Sequence, residues 1–258
     1  WMNGSCTQDY GSVTIMPLSN KLETDPVKRA SSFDHAQEIA TPSYYSVDLN
    51  DYGIHAELTG LSRAGIMQFS FEQDGDHYIV IEPNSDEGVA FVEVDPEKKE
   101  ITGYNPVHRI YQGYGKEAGF SGHFVIQLNE EIADYGVWDS TAITSGRKSA
   151  KGQKHAVGAW VKLASDKPGK TLVKVATSFT SIDNARKNLA CEIPGWDFNE
   201  VRQASSDTWN QTLGQIAVKG NNEEEKVKLY SALYNAHFLP RTFSDVDGSY
   251  PKFNGGGQ

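Results

Sequence analysis

From residue 11 to about residue 180 the chain is written in short β-rich runs, separated at close intervals by Gly, Asn, Asp and Pro. That rhythm constrains the fold more than any other feature. Residues 13–18 form one run, ended by Ser19-Asn20. Residues 44–49 form another, and the turn Asn50-Asp51-Tyr52-Gly53 joins it to residues 54–59, where Ile54, Ala56 and Leu58 share a face. Two apolar-patterned runs around such a turn are a hairpin signal. In residues 64–71, Ile66, Gln68 and Ser70 lie opposite Met67, Phe69 and Phe71, and further strands are predicted at 78–82, 89–94, 122–128, 157–163 and 171–177. Turn-forming clusters at 72–76 and 166–169 punctuate the series. No helix alternates with these strands, so the expected architecture is an antiparallel β-sandwich, mainly β, rather than a parallel sheet.

Near residue 181 the period changes. Ser181 is placed to cap a helix through residues 182–190, which Pro194-Gly195 interrupts. Asp197 or Asn199 opens a second helix with Val201, Trp209, Leu213 and Ile216 at helical spacing, ended by Gly220-Asn221-Asn222. A third begins at Glu223-Glu224-Glu225, acids that favour a helix N-terminus. It is expected to turn Val227, Tyr230, Leu233, Tyr234 and Phe238 to a core and to end at Pro240. The organisation read from this is a sandwich over 1–180 whose start is missing, a helical linker over 181–221, and the beginning of a helical domain over 222–258. Trp1 at one end and Gly255-Gly256-Gly257-Gln258 at the other both read as cuts within a longer chain.

Composition narrows the partners. The 258 residues are 38% hydrophobic and 22% charged, ordinary for a globular chain, and no apolar run reaches the ~18–20 residues of a membrane span. A formal net charge of −10 argues against nucleic acid, whose phosphates need a basic surface. Neutral ligands such as sugars remain compatible. Cys6 and Cys191 could pair, but their spacing does not ask for it, and two buried free thiols are the favoured reading.

No acid/base pair stands out. Asp34, Glu38, Asp48, Asp51 and Glu57 sit on loops or strand faces where solvated charge is the default. Asp245-Val246-Asp247-Gly248 offers two hard oxygen donors before a glycine, as a calcium loop would. The next residues, Ser249-Tyr250-Pro251-Lys252, lack the further donors and the distal Glu, so an Asp-Gly turn is the preferred reading. The seven histidines are scattered without metal-ligand spacing, and residues 145–152 read as an exposed basic loop. The stretch 1–11 packs amides, a carboxylate, small residues and aromatics into turn-forming sequence, the mixture that sugar sites use.

Several segments, in order, resemble glycoside hydrolase family 92. Residues 1–11, with Asn3-Gly4-Ser5-Cys6 and Asp9-Tyr10-Gly11, resemble its early Gly-Ser/Thr-Gly/Cys-x-x-Asp-Tyr-Gly segment, and residues 13–17 its next strand. Residues 33–47 are the most specific match, continued by 52–59 and by Arg63-Ala64-Gly65. Residues 184–186 and 192–198 resemble the family's linker; 230–234 and 243–250 resemble the opening of its helical domain. The resemblance implies an N-terminal β-sandwich, a helical linker and a C-terminal (α/α)6 barrel, here represented by its first helix. It implies an inverting, calcium-dependent exo-α-mannosidase acting on mannose-rich glycans, α-1,2 being a common linkage. The catalytic Glu and Asp and the Ca2+ ligands are expected in the barrel beyond residue 258, so residues 1–258 alone are expected to be inactive. Trp1, Asn3, Gly4, Ser5 and Cys6, with Asp245 and Asp247, are the substrate-binding candidates. An exported location in a glycan-degrading bacterium, periplasmic, outer-membrane-associated or secreted, goes with that reading. The alternative is a non-catalytic carbohydrate-binding or adhesive sandwich.

Overall fold

A computed structural model describes residues 13–84, 88–109, 116–153, 156–237 and 242–252. Two antiparallel sheets stack face to face among these residues. The smaller is built from β1 (Val13–Ser19), β6 (His77–Pro83), β10 (Ile132–Trp138), β11 (Ile143–Ser145) and β13 (Gly158–Leu163), in the order β1-β6-β13-β10-β11. The larger contains β2 (Ile39–Thr41), β3 (Tyr44–Leu49), β4 (Ile54–Gly60), β5 (Ala64–Phe71), β7 (Ala90–Asp95), β8 (Glu100–Arg109), β9 (Lys116–Leu128), β12 (Ser149–Gly152) and β14 (Gly169–Ser178). Its order is β12-β7-β8-β9-β14-β5-β4-β3-β2. The expected hairpin is there, with Leu49 opposite Ile54 and Gly53 at φ +58.

Period-two patterning places the core between the sheets. Phe69 and Phe71 of β5, Phe124, Ile126 and Leu128 of β9, and Ile79 and Ile81 of β6 are all buried there. Helices cover an apolar patch on the outer face of the large sheet. Ala64 and Ile66 of β5, Val125 of β9 and Ala176 of β14 pack under α1 (Ile182–Glu192) and α2 (Phe198–Leu213) through Ala185, Leu189, Phe198 and Val201. Farther along β5 the same face carries Gln68 and Ser70, which are partly exposed. Ser181 caps α1 by accepting from Asn184 N, and Asp197 caps α2 by accepting from Asn199 N and Glu200 N.

The small sheet buries its outer face differently. Trp138 and Trp160 join Leu18 and Val80 in a separate cluster, and each indole sits across from a glycine on the neighbouring strand: Trp138 opposite Gly158, Trp160 opposite Gly136. A loop before β2 closes over this side through a buried ion pair between Arg29 and Glu82 and a hydrogen bond from Tyr52 Oη to Arg29 O, 3.0 Å.

Several expectations need correction. β2, β8, β10, β11 and β12 escaped the sequence reading, and residues 149–152 of the supposed basic loop pair with β7, burying Ala150. The second helix ends at Leu213 with Gly214 as its cap, not at Gly220-Asn221-Asn222. Helix α3 (Glu223–Ala236) starts where expected, capped by Asn222, yet none of its residues is buried and Val227 is 65% exposed. It touches α2 through Tyr234 on Trp209. Phe238 and Pro240 lie outside the described residues. Cys191 is a free, exposed thiol on α1 rather than a buried one, and Cys6 lies outside the described residues.

A Cβ at Gly158 would overlap the Trp138 ring and crowd Ile81 O. Gly158→Ala should therefore cost about 1–3 kcal/mol, the usual penalty for overpacking a tight core. Shrinking Trp138 to Leu in the same chain should recover part of that loss, as chemical denaturation midpoints would report.

Candidate functional site

The end of the described chain folds back onto the sandwich, and that junction is where the candidate residues gather. Arg63 sits on the turn between β4 and β5. Its Nη1 donates to Glu192 Oε1 at 3.0 Å, while Arg63 N and Ala64 N donate to Glu192 Oε2 at 2.8 and 3.0 Å. Its Nε reaches Ser244 O at 2.7 Å. One arginine thus links a strand turn, the last turn of α1 and residues 242–252.

Asp245 is 4% exposed. Ser178 Oγ and Thr180 Oγ1 donate to its Oδ2 at 2.9 and 2.5 Å, and Asn184 Nδ2 at 3.3 Å. Asn188 Nδ2 donates to Oδ1 at 2.7 Å, while Asn188 Oδ1 accepts from Val246 N at 2.9 Å. Asn184 and Asn188 are one helical turn apart, so they form a single polar row beside the apolar row Ala185 and Leu189. The loop closes as a turn: Gly248 N donates to Asp245 O at 3.0 Å with Gly248 at φ +85, in the left-handed region. Asp247 lies outside the cluster and pairs with Lys187 at 2.9 Å, which with Ser249 N lowers its pKa to about 2.

An aromatic row leads up to this anchor across the outer face of the large sheet. Phe91, Tyr104, His123 and Ser178 are successive cross-strand partners. Phe91 and Tyr104 stack at 5.6 Å between centroids, Tyr104 and His123 lie at 5.9 Å, and Lys151 Nζ is 5.7 Å from the Phe91 ring. Burial lowers the His123 pKa against the opposing pull of the Asp245 charge, and His123 Nδ1 has no hydrogen-bond partner among the described residues. Phe120, Phe179 and Phe243 form a second ring group, with neighbouring centroids 5.7 and 5.2 Å apart. Aromatic faces beside hydroxyls, amides and an imidazole suit the mixed polar and apolar faces of a sugar ring.

Of the sequence candidates, Trp1, Asn3, Gly4, Ser5 and Cys6 lie outside the described residues. Asp245 and Asp247 are described, and each carboxylate is already engaged. Among the described residues no group of three or more His, Cys, Asp or Glu side chains is assembled to hold a metal ion. The Asp245 surroundings also fit calcium poorly: Asn184 and Asn188 turn amide N–H groups, not oxygens, toward the carboxylate, whereas Ca2+ takes several oxygen ligands. The sequence reading missed Arg63, His123, Ser178, Thr180 and the Asn184/Asn188 pair as members of one cluster. The four-residue spacing of two asparagines on a helix was the available signal.

Replacing Asp245 by Ala would remove the acceptor that four donors share in a buried site. It should cost about 3 kcal/mol in urea denaturation, in the range for hydrogen bonds to a buried charge. Asp245→Asn should cost less but still destabilise, because its N–H2 must face donors. The Asp247–Lys187 tie carries a pH signature. A folded-state pKa of about 2 against an ordinary 3.8 means its contribution is whole above pH 3.8 and is lost as pH falls through about 2. Asp247→Asn should therefore lower the melting temperature at pH 5 to 7 and make little difference near pH 2.

Comparison with known proteins places the chain. The model of the Glycosyl hydrolase family 92 N-terminal domain matches residues 2–178, and that of the Glycosyl hydrolase family 92 catalytic domain matches residues 184–257. A secreted glycosidase of Arthroderma benhamiae is 26% identical over 247 residues, covering 87% of this chain and 31% of the relative. An inverting family 92 mannosidase from Bacteroides thetaiotaomicron superposes with a TM-score of 0.82 at 27% identity, over 93% of this chain and 32% of that one. A family 92 α-mannosidase from the same organism gives 0.82 at 25% identity, over 96% of this chain and 34% of that one, and its structure is also known with mannoimidazole bound. The chain thus spans about a third of the length of these relatives. With both family models matched in order and their sandwich reproduced, the chain belongs to glycosyl hydrolase family 92.

Proposed function

We propose that this chain is the N-terminal part of an inverting exo-α-mannosidase that removes mannose from mannose-containing glycans, with α-1,2 linkages among its substrates. Membership of family 92 carries the reading. The likeness to two Bacteroides thetaiotaomicron proteins named as mannosidases, one of them with mannoimidazole bound, supports it.

Inverting hydrolysis needs one carboxyl group to protonate the leaving oxygen and a second to deprotonate a water attacking the opposite face of the ring. The two stand roughly 6.5–9.5 Å apart to leave room for that water. We assign both to the part of the catalytic domain beyond residue 258, together with the ligands of the calcium ion that engages the sugar hydroxyls. The contribution of this chain is positional. The sandwich offers Trp1, Asn3, Gly4, Ser5 and Cys6 as one wall of the mannose pocket. Arg63 and Asp245 hold residues 242–252, part of the stretch matched by the catalytic-domain model, against the sandwich. Asp247 contributes to the same edge. The enzyme works outside the cytoplasm, as an exported protein of a glycan-degrading bacterium.

The protein encoded by the complete gene should release mannose from α-1,2-linked mannobiose in calcium, lose that activity on chelation, and give the β-anomer first in a proton NMR time course. Residues 1–258 alone should release none. No mannose from α-1,2-, α-1,3- or α-1,6-linked substrates, or turnover by residues 1–258 alone, would sink the reading and favour a non-catalytic sugar-binding sandwich.

A further inference from the structure

A cleft of about 570 Å3 opens between the turn joining β2 to β3 and one side of α2. Its size falls inside the ~300–1,000 Å3 range of small-molecule sites. The helical side that lines it runs through Asn199, Gln203, Ser206, Asn210 and Leu213, positions at helical spacing. This stripe differs from the one α2 buries against the sheet, which is Phe198, Val201 and Ser205. The opposite wall is Thr41, Pro42, Ser43 and Tyr44.

The chemistry of the lining is selective. It holds three carboxamides, three aliphatic hydroxyls, two aromatic rings and a single cation, with no carboxylate. A metal ion or an amine would find no counter-charge there. An anion would find one arginine on a chain of net charge −10. Amides and hydroxyls can both donate and accept, which matches the alternating demands of ring hydroxyls, and a tryptophan supplies a flat apolar surface for the C–H face of a pyranose.

The walls are also held in place before any ligand arrives. The Arg202 guanidinium lies 3.6 Å from the centre of the Tyr44 ring. Tyr44 is fixed in turn by its hydroxyl donating to Glu57 at 2.8 Å. Arg202 has no carboxylate partner among the described residues, so its N–H edges remain available to a neutral acceptor. Trp209 is braced by Tyr234 of α3, with centroids 4.9 Å apart. Rigid walls lower the ordering cost of binding a weak ligand.

We propose that this cleft is a binding site for a neutral pyranoside, an α-mannoside unit of the glycan on which the protein acts. The choice of mannose rests on the proposed function; the choice of a neutral pyranoside rests on the lining.

The test uses the 258-residue chain, titrated with methyl α-mannoside and α-1,2-mannobiose by saturation-transfer NMR and Trp fluorescence, with sodium sulfate as the anionic competitor. Saturable binding in the millimolar range is expected, and Trp209→Ala should weaken it roughly tenfold, the equivalent of one ring contact. Ser206→Tyr fills the cleft at the loss of only the long hydrogen bond from Asn210 Nδ2 to Ser206 Oγ, 3.4 Å, and should abolish binding while the melting temperature stays within a few degrees. Lys98→Ala, on the exposed turn between β7 and β8, should leave binding unchanged. Absence of mannoside binding, sulfate binding in its place, or affinity left unchanged by Ser206→Tyr would overturn the proposal. Binding by this chain needs no catalytic carboxylate. The cleft can therefore fail while the complete protein still releases mannose, and it can bind while the hydrolase reading fails.

Discussion

A buried carboxylate with no cationic partner among the described residues holds this chain's distant parts together. Asp245 would be costly to bury alone, since moving an ionised group out of water costs several kcal/mol even after relaxation. Here Ser178 and Thr180 from the end of β14 and Asn184 and Asn188 from α1 supply the hydrogen bonds that water would have given. The arrangement is specific because it is mutual. Asn188 donates to Asp245, accepts from Val246 N and donates to Thr177 O at 2.8 Å. Sheet, helix α1 and residues 242–252, which fall within the stretch matched by the catalytic-domain model, meet at one carboxylate. Arg63 repeats the logic from the other side with Glu192 and Ser244.

That junction explains why α1 is amphipathic in an unusual sense. Its buried side consists of two adjacent rows, one apolar and one made of amides. Ala185 and Leu189 settle on Ala64, Ile66 and Ala176, while Asn184 and Asn188 face Asp245. A helix carrying only the apolar row would still cover the sheet but would have no reason to fix residues 242–252. The cost of the amide row is the loss of apolar burial, and it is offset only if every amide finds a partner. In this chain both do.

Much of this was legible in the sequence, and the failures have physical causes. Strands β4, β5 and β9 were readable because each carries a period-two apolar row toward the core, whatever its other face meets. The caps Ser181 and Asp197 were readable because their side chains act locally. β8 and β10 were not, because they carry residues that usually mark turns: Gly103, Asn105 and Pro106 in β8, Gly136 in β10. Those glycines answer to neighbours far away in sequence. Gly103 leaves room for the Phe124 ring, and Gly136 for Trp160. The apolar face expected on α3 was misjudged for the opposite reason, since Val227, Tyr230, Leu233 and Tyr234 give an apolar pattern, yet none of the helix's residues is buried among this chain's described residues. At the candidate site, local spacing offered Asp245 and Asp247 as a pair of oxygen donors. Only the tertiary contacts separate them into a buried anchor and a surface ion pair.

Strand β14 does more than contribute to the sheet, because α1 runs beside it and depends on it at both ends. At the N-terminal end Ser178 Oγ accepts from Thr180 N at 3.0 Å and from Ser181 N at 3.3 Å, organising the turn that presents the Ser181 cap. At the C-terminal end the helix has no basic residue in its last turn to meet the partial negative charge that gathers there. Lys174 supplies one from the sheet: its ammonium donates to Ile193 O at 3.2 Å and lies 4.1 Å from the centre of the Trp196 ring. A lysine only 4% exposed is otherwise hard to justify, and burial does lower its pKa. Its neighbours make the site tolerable: a carbonyl at a helix end and an indole face are both electron-rich. Lys174 is thus a helix cap delivered by tertiary structure, and a reading confined to the helix's own residues had no means of finding it.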